Sequence, residues 1–297
     1  MTRTKASKTT AAVGFIGGSG LYRMPGLIDA REIAVKTPYG DPSGPLVVGK
    51  MSGVSCAFLA RHGRDHVFLP SEINYRANIY AFKALGIERL IGVAAVGSLK
   101  EELEPKRFVF PDQLVDETKG RASTFFGGGV VAHVAFADPF CFAQTEILAK
   151  TAGGLGLDLH RGGTYVCMEG PQFSTRAESA YHRRQGYDII GMTAAQEAKL
   201  AREAEICYSL MAMVTDYDCW KEGDEVTSDK VMATLSSNAQ NAQKILQACA
   251  GALAARARSC ACPHALAGAL VTDARKVKAA ADKRLALIAG KYLEKKA

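Results

Sequence analysis

No stretch of this 297-residue sequence stays apolar long enough to cross a bilayer. The longest runs, Ile206 to Thr215 and Leu90 to Val96, fall well short of the roughly 20 residues a membrane helix needs. Residues 1–10 carry Arg3, Lys5 and Lys8, but no apolar core with a cleavage site follows. We therefore expect a disordered leader on a cytoplasmic protein with no membrane partner. Internal repeats are lacking, as is low complexity before the Ala-rich C-terminal third, which argues against a solenoid. The Gly-rich turn Gly17-Gly18-Ser19-Gly20 lacks both the G-x-G-x-x-G spacing and a following Lys-Ser/Thr, which disfavours a dinucleotide or NTP site. A basic groove is lacking too. The net charge of +7 is accounted for by the two ends, since residues 1–10 hold +3 and the last 27 residues +5, leaving the body at about −1. That distribution gives no support to a nucleic-acid partner.

The composition is that of a soluble globular chain, 48% hydrophobic and 23% charged, and its length suits one α/β domain. Eight cysteines are scattered, mostly in apolar runs where buried, reduced thiols are the default. Cys260-Ala261-Cys262 stands apart, but apart from His264 no second Cys/His pair lies nearby at zinc-ligand spacing, so no metal site is expected.

Short β-branched runs alternate with helical patterns. Val13–Ile16, Ala57–Ala60, Arg89–Val96, Arg107–Phe110, Thr164–Met168, Asp188–Met192 and Cys207–Thr215 read as strands, several apolar on both faces. Helices are expected over Ile73–Leu85, Phe142–Leu155, Thr175–Gln185, Ala194–Glu205 and Asp229–Arg258. The expected fold is α/β: a single domain with a central mixed sheet flanked by helices, with a catalytic domain over 11–260 and a basic helical extension over 261–297.

Four segments at strand ends carry chemistry. The Gly17–Gly20 turn can wrap an oxyanion in backbone N–H groups, with Ser19 adding a hydroxyl. Arg61-His62-Gly63-Arg64 follows an apolar strand and offers a guanidinium fork with an adjacent imidazole for phosphate. Thr193 stands before a helix, where it can cap the first turn and face an anion. Asp216 and Asp218, two apart in an extended chain, point to one side. Two close carboxylates in an apolar setting raise one another's pKa, so that one can donate to a purine N7 while the other accepts from an exocyclic amine.

Taken in order, Gly17–Leu21, Thr37–Asp41, Ala60–Arg64, Asn74–Tyr80, Gly97–Leu99, Ala137–Cys141, Glu169–Ser179, Gly191–Thr193 and Asp216–Trp220 make the chain resemble the trimeric purine nucleoside phosphorylase family from Val13 to about Lys244. The resemblance implies phosphorolysis of methylthioadenosine, with inorganic phosphate as co-substrate and no cofactor. It implies phosphate on Ser19, Arg61, His62, Ala94, Ala95 and Thr193. Phe173 would pack on the purine, Met192 would lie under the ribose, and Asp216, Tyr217 and Asp218 would hold the base. Ser174, Ser228 and Val231 would tune specificity. His133 would serve the 5' pocket of a neighbouring subunit, which implies a homotrimer or its doubled hexamer. Asparagine in place of Asp216 marks relatives that act on 6-oxo purines, so a purine nucleoside or methylthioinosine phosphorylase is the alternative. Ala94 replaces the usual threonine, leaving only backbone there. The Cys-x-Cys pair resembles the tail of thermophilic archaeal members, where the resemblance implies a structural disulfide.

Overall fold

The computed structural model describes residues 11–18, 26–223 and 226–293. Ser19 and the leader 1–10 lie outside them. In chain order the elements are β1 (Val13–Gly17), β2 (Ile28–Ile33), β3 (Leu46–Met51), β4 (Val54–Ala60), α1 (Tyr75–Ala84), β5 (Arg89–Ser98), β6 (Phe108–Phe110), β7 (Gln113–Asp116), α2 (Phe142–Gly154), β8 (Leu159–Arg161), β9 (Thr164–Cys167), α3 (Arg176–Arg184), β10 (Ile189–Gly191), α4 (Ala194–Glu203), β11 (Cys207–Asp216), α5 (Ser228–Ala254) and α6 (Ala279–Leu293). No helix among the described residues is long and apolar enough to cross a membrane.

The strands form one mixed sheet with helices on both faces. Period-two alternation sorts the side chains between the layers. Along β5, Leu90, Ala94 and Val96 join the cluster that includes α1, α4 and α6, while Ile91 and Val93 face the cluster built on α2 and α5. Along β11, Leu210, Ala212 and Val214 take the first side, and Met211 and Met213 the second. Strands buried on both faces explain why β1, β5 and β11 read as unbroken apolar runs.

Strand β5 organises the sheet. On one edge it pairs with parallel β11 from Arg89 to Gly97. On the other, parallel β1 accompanies only Leu90–Val93, and antiparallel β10 meets Gly97 and Ser98. Between them, no strand among the described residues lies beside Ala94–Val96 on that edge. An open α/β sheet binds ligands at such a divergence.

Helix starts follow local capping. Asn74 accepts from the Ala77 amide, so α1 begins two residues later than periodicity alone implies. Thr175 and Glu178 form a reciprocal capping box at α3. Thr193 occupies the cap position of α4 but its side chain caps nothing, contrary to the sequence expectation. The first two amides, of Thr193 and Ala194, instead donate to the Tyr165 hydroxyl at 3.2 and 3.4 Å.

Glu203 on α4 is buried and accepts from the Thr124 hydroxyl and the Phe125 amide, both at 2.7 Å. Burial pushes its carboxyl up to about 7 against those hydrogen bonds. An unfolded glutamate ionises near about 4.3, so between these values the folded chain holds a proton that the unfolded chain has released. This stabilisation is complete below the unfolded value and is lost as pH rises through about 7, a change of about 3 to 4 kcal/mol. Glu203→Gln is expected to flatten that slope, measured as urea midpoints for both proteins at about pH 5 and about pH 8.

Candidate active site

At the divergence lies a cavity of about 460 to 540 Å³ in each of two neighbouring hollows; the one at the C-terminal ends of β5, β10 and β11, of about 540 Å³, gathers the predicted residues. Arg61, His62, Ala94, Ala95, Phe173, Met192, Thr193, Asp216, Asp218, Ser228 and Val231 all line it. Gly18 lines it as well.

Arg61 fills the wedge where β1 and β5 part. It is 1% exposed, and its Nη1 and Nη2 donate to the Val93 and Ile16 carbonyls, one on each strand. Its Nε and Nη2 also grip the fully buried Glu197 of α4. Burial works against the guanidinium charge, but Glu197 beside it outweighs that and holds Arg61 charged. The sequence expectation of a fork free for phosphate is therefore corrected: four of the five N–H donors serve the fold, and one on Nη1 remains. Glu197 accepts from the Tyr208 hydroxyl at 2.7 Å as well. Gly92 makes room for this, since a Cβ there would come within 2.2 Å of that hydroxyl.

The His62 ring contacts the Phe68 carbonyl through Nδ1 at 2.9 Å and stacks on His66. A carbonyl only accepts, so Nδ1 carries the hydrogen and the neutral ring keeps its lone pair on Nε2. Burial, helped by the Arg61 charge, lowers its pKa to about 4. The ring is thus neutral near pH 7, and this end of the cavity holds a neutral imidazole beside an internally balanced Arg61–Glu197 pair.

At the opposite end the strand β11 terminates in Asp216. Its Oδ2 accepts from the Thr215 hydroxyl at 2.7 Å and its Oδ1 from the Asp218 amide at 2.8 Å. Gly97 gives it space, because a Cβ there would lie 2.9 Å from Oδ1. Asp218 has φ 52, so the chain has left the extended conformation before reaching it. The acids share the cavity because of this turn, not through strand alternation, which corrects the geometric expectation. Asp218 is 3% exposed, and its Oδ2 has no hydrogen-bond partner among the described residues. Burial raises its pKa, with the Ser179 and Ser174 hydroxyls pulling the other way. Burial leads here, rather than the paired acid.

Three expected residues stand elsewhere. Tyr217 lies outside the cavity lining, its hydroxyl donating to the Glu101 carbonyl and its ring edge-on to Trp220. Ser174 is buried outside the lining, and it bears on Asp218 from behind. His133 is exposed and lies outside this cavity, on a segment joined to the C-terminal region by the Ala132–Leu270 bridge.

Sequence reasoning missed Glu197, Tyr165, Arg121 and His182. Arg121 donates to the Met192 carbonyl at 2.6 Å and pairs with Glu169, fixing the turn that presents Met192. His182 is buried against Glu117 on the helix that carries Ser179. A signal existed for Glu197: it lies on the same helical face as Ala194, Ala198 and Ala201, all fully buried.

The sequence pattern of the Phosphorylase superfamily matches residues 12–251. An S-methyl-5'-thioadenosine phosphorylase from Koribacter versatilis is 55% identical over 95% of this chain and 97% of its own length. One from Geobacter sulfurreducens is 52% identical over 95% and 99%. Among solved structures, a methylthioadenosine phosphorylase from an Antarctic soil metagenomic library superimposes with a TM-score of 0.91 at 47% identity, covering 94% of this chain and 99% of that one. The adenine complex of the Schistosoma mansoni enzyme gives 0.83 at 36%, covering 88% and 99%. By sequence pattern, near-full-length identity and fold, the chain belongs to the methylthioadenosine phosphorylase family of the phosphorylase superfamily.

Proposed function

We propose that the chain catalyses phosphate-dependent cleavage of S-methyl-5'-thioadenosine to adenine and 5-methylthioribose 1-phosphate. The observation that carries this is Asp218: a buried carboxyl with one orphaned oxygen and a raised pKa, facing a cavity whose far end holds Arg61 and His62. A phosphate oxygen attacks C1' as the C1'–N9 bond breaks, and the bonding pair leaves with the base. Asp218 gives its proton to N7, so adenine departs neutral. Asp216 accepts from the 6-amino group, while phosphate charge balances the oxocarbenium-like sugar.

At the anion end, hydrogen bonds rather than net charge hold phosphate. The Nη1–H of Arg61, the Thr193 hydroxyl and the backbone of Gly18 and Ala94–Ala95 supply donors, and Ser19 completes the set. Neutral His62 accepts a hydrogen bond from a protonated phosphate oxygen through Nε2. Phe173 stacks on the purine, Met192 lies under the ribose, and Ser228 and Val231 border the 5' group. His133 reaches a neighbouring subunit in a cytoplasmic homotrimer or hexamer.

Methylthioadenosine, adenosine, methylthioinosine and inosine, each with phosphate, test this directly. We expect 6-amino substrates to exceed their 6-oxo counterparts by at least about a hundredfold in kcat/KM, because a site built to accept from an amine leaves O6 unpaired. Preference for inosine or methylthioinosine would instead make the chain a 6-oxo purine phosphorylase.

A further inference from the structure

Four cysteines that are far apart in the chain meet at one point. Cys141 occupies the cap position of α2, Cys207 opens β11, and Cys260 and Cys262 follow α5. Their sulfurs all lie within 4.8 Å of one another, with Cys207 and Cys260 3.4 Å apart. Cys141, Cys207 and Cys262 are buried and Cys260 is half-buried. The spacing argument against a metal assumed that a second pair must lie nearby in sequence. The fold supplies that pair from α2 and β11.

A tetrahedral tetrathiolate with metal–sulfur bonds of about 2.3 Å has sulfur–sulfur edges of about 3.8 Å. The observed separations bracket that edge. No carboxylate or imidazole belongs to the group, and His264 is exposed outside it. A closed set of four soft ligands with no open position suits a structural zinc ion rather than a catalytic one. Thiolate charge is favoured at Cys141 by the amino end of α2.

We propose that Cys141, Cys207, Cys260 and Cys262 bind one Zn²⁺, which fastens the segment after α5 to the α2–β11 side of the domain. Binding converts four thiols and Zn²⁺ into a tetrathiolate complex of charge −2 with release of four protons, without redox change. The fastened segment continues to Leu270 and Thr272, which bind Ala132 and Val131, so the ion also steadies the segment that carries His133.

The test is the full-length protein purified without chelator from zinc-supplemented cells. Its metal content is measured by mass spectrometry, and Co²⁺ is exchanged in for optical spectra. We expect about one zinc per chain, and a cobalt form with thiolate charge-transfer bands and the visible bands of a tetrahedral site. Cys262→Ser should lose most of the metal, whereas Cys249→Ser, at a buried thiol elsewhere, should keep it. A metal-free wild-type chain with four titratable thiols overturns the proposal. So do two disulfides among these cysteines, found by peptide mapping without reductant. Both outcomes are read on wild-type protein, so an unstable variant leaves the decision intact.

Discussion

Asp218→Asn is expected to lower kcat/KM for methylthioadenosine by about 100- to 10,000-fold, the range of a positioned general acid. Asparagine keeps the shape and tolerates the left-handed backbone that Asp218 adopts. The loss therefore reports the proton rather than a broken turn. A substrate analogue whose base leaves without N7 protonation should recover much of the rate in the variant. Steady-state kinetics with both substrates check this, and an unchanged rate on methylthioadenosine would remove Asp218 from the chemistry. Because burial raises its pKa, the wild-type rate should fall as pH climbs above that value and the acid ionises. The variant should not follow that limb.

The second large effect falls on stability. Arg61→Met leaves Glu197 buried without its cation, and breaking one half of a buried pair costs about 3 to 5 kcal/mol. It also empties the wedge between β1 and β5, which Arg61 bridges through Ile16 and Val93. Arg61→Met combined with Glu197→Leu removes both charges and should regain most of the loss. Urea midpoints measure that recovery. The same double variant should keep a raised KM for phosphate, because the one remaining Nη1–H is gone in both. If phosphate affinity returned with stability, Arg61 would be a structural residue alone.

The fold was legible where burial on two faces wrote apolar runs, as in β1, β5 and β11. It was not legible in β2, whose residues are nearly all exposed and show no apolar run, nor in the three- and four-residue strands β7 and β8. The site was legible as a set of residue types at strand ends. Its charge balance was not, because Glu197 is 136 positions from Arg61 and looks like an ordinary helical acid until its neighbours are seen. The acids Asp216 and Asp218 were recognisable as a pair, yet the left-handed turn between strand and Asp218 has no glycine or asparagine to announce it. Cys141 and Cys207 likewise look like isolated core thiols until the loop after α5 brings the other two beside them.

Helix α6 gives the core an order of assembly. Leu285, Ile288 and Leu293 share one apolar cluster with Phe82, Leu90 and Val96, yet they are synthesised after every other part of it. A nascent chain that has already formed the sheet, α1 and α4 still lacks the helix that packs on α1 until α6 emerges. Stalling shortly before α6 would thus leave the apolar surface that this helix covers exposed to chaperones, although α1 and α4 already lie on that side of the sheet.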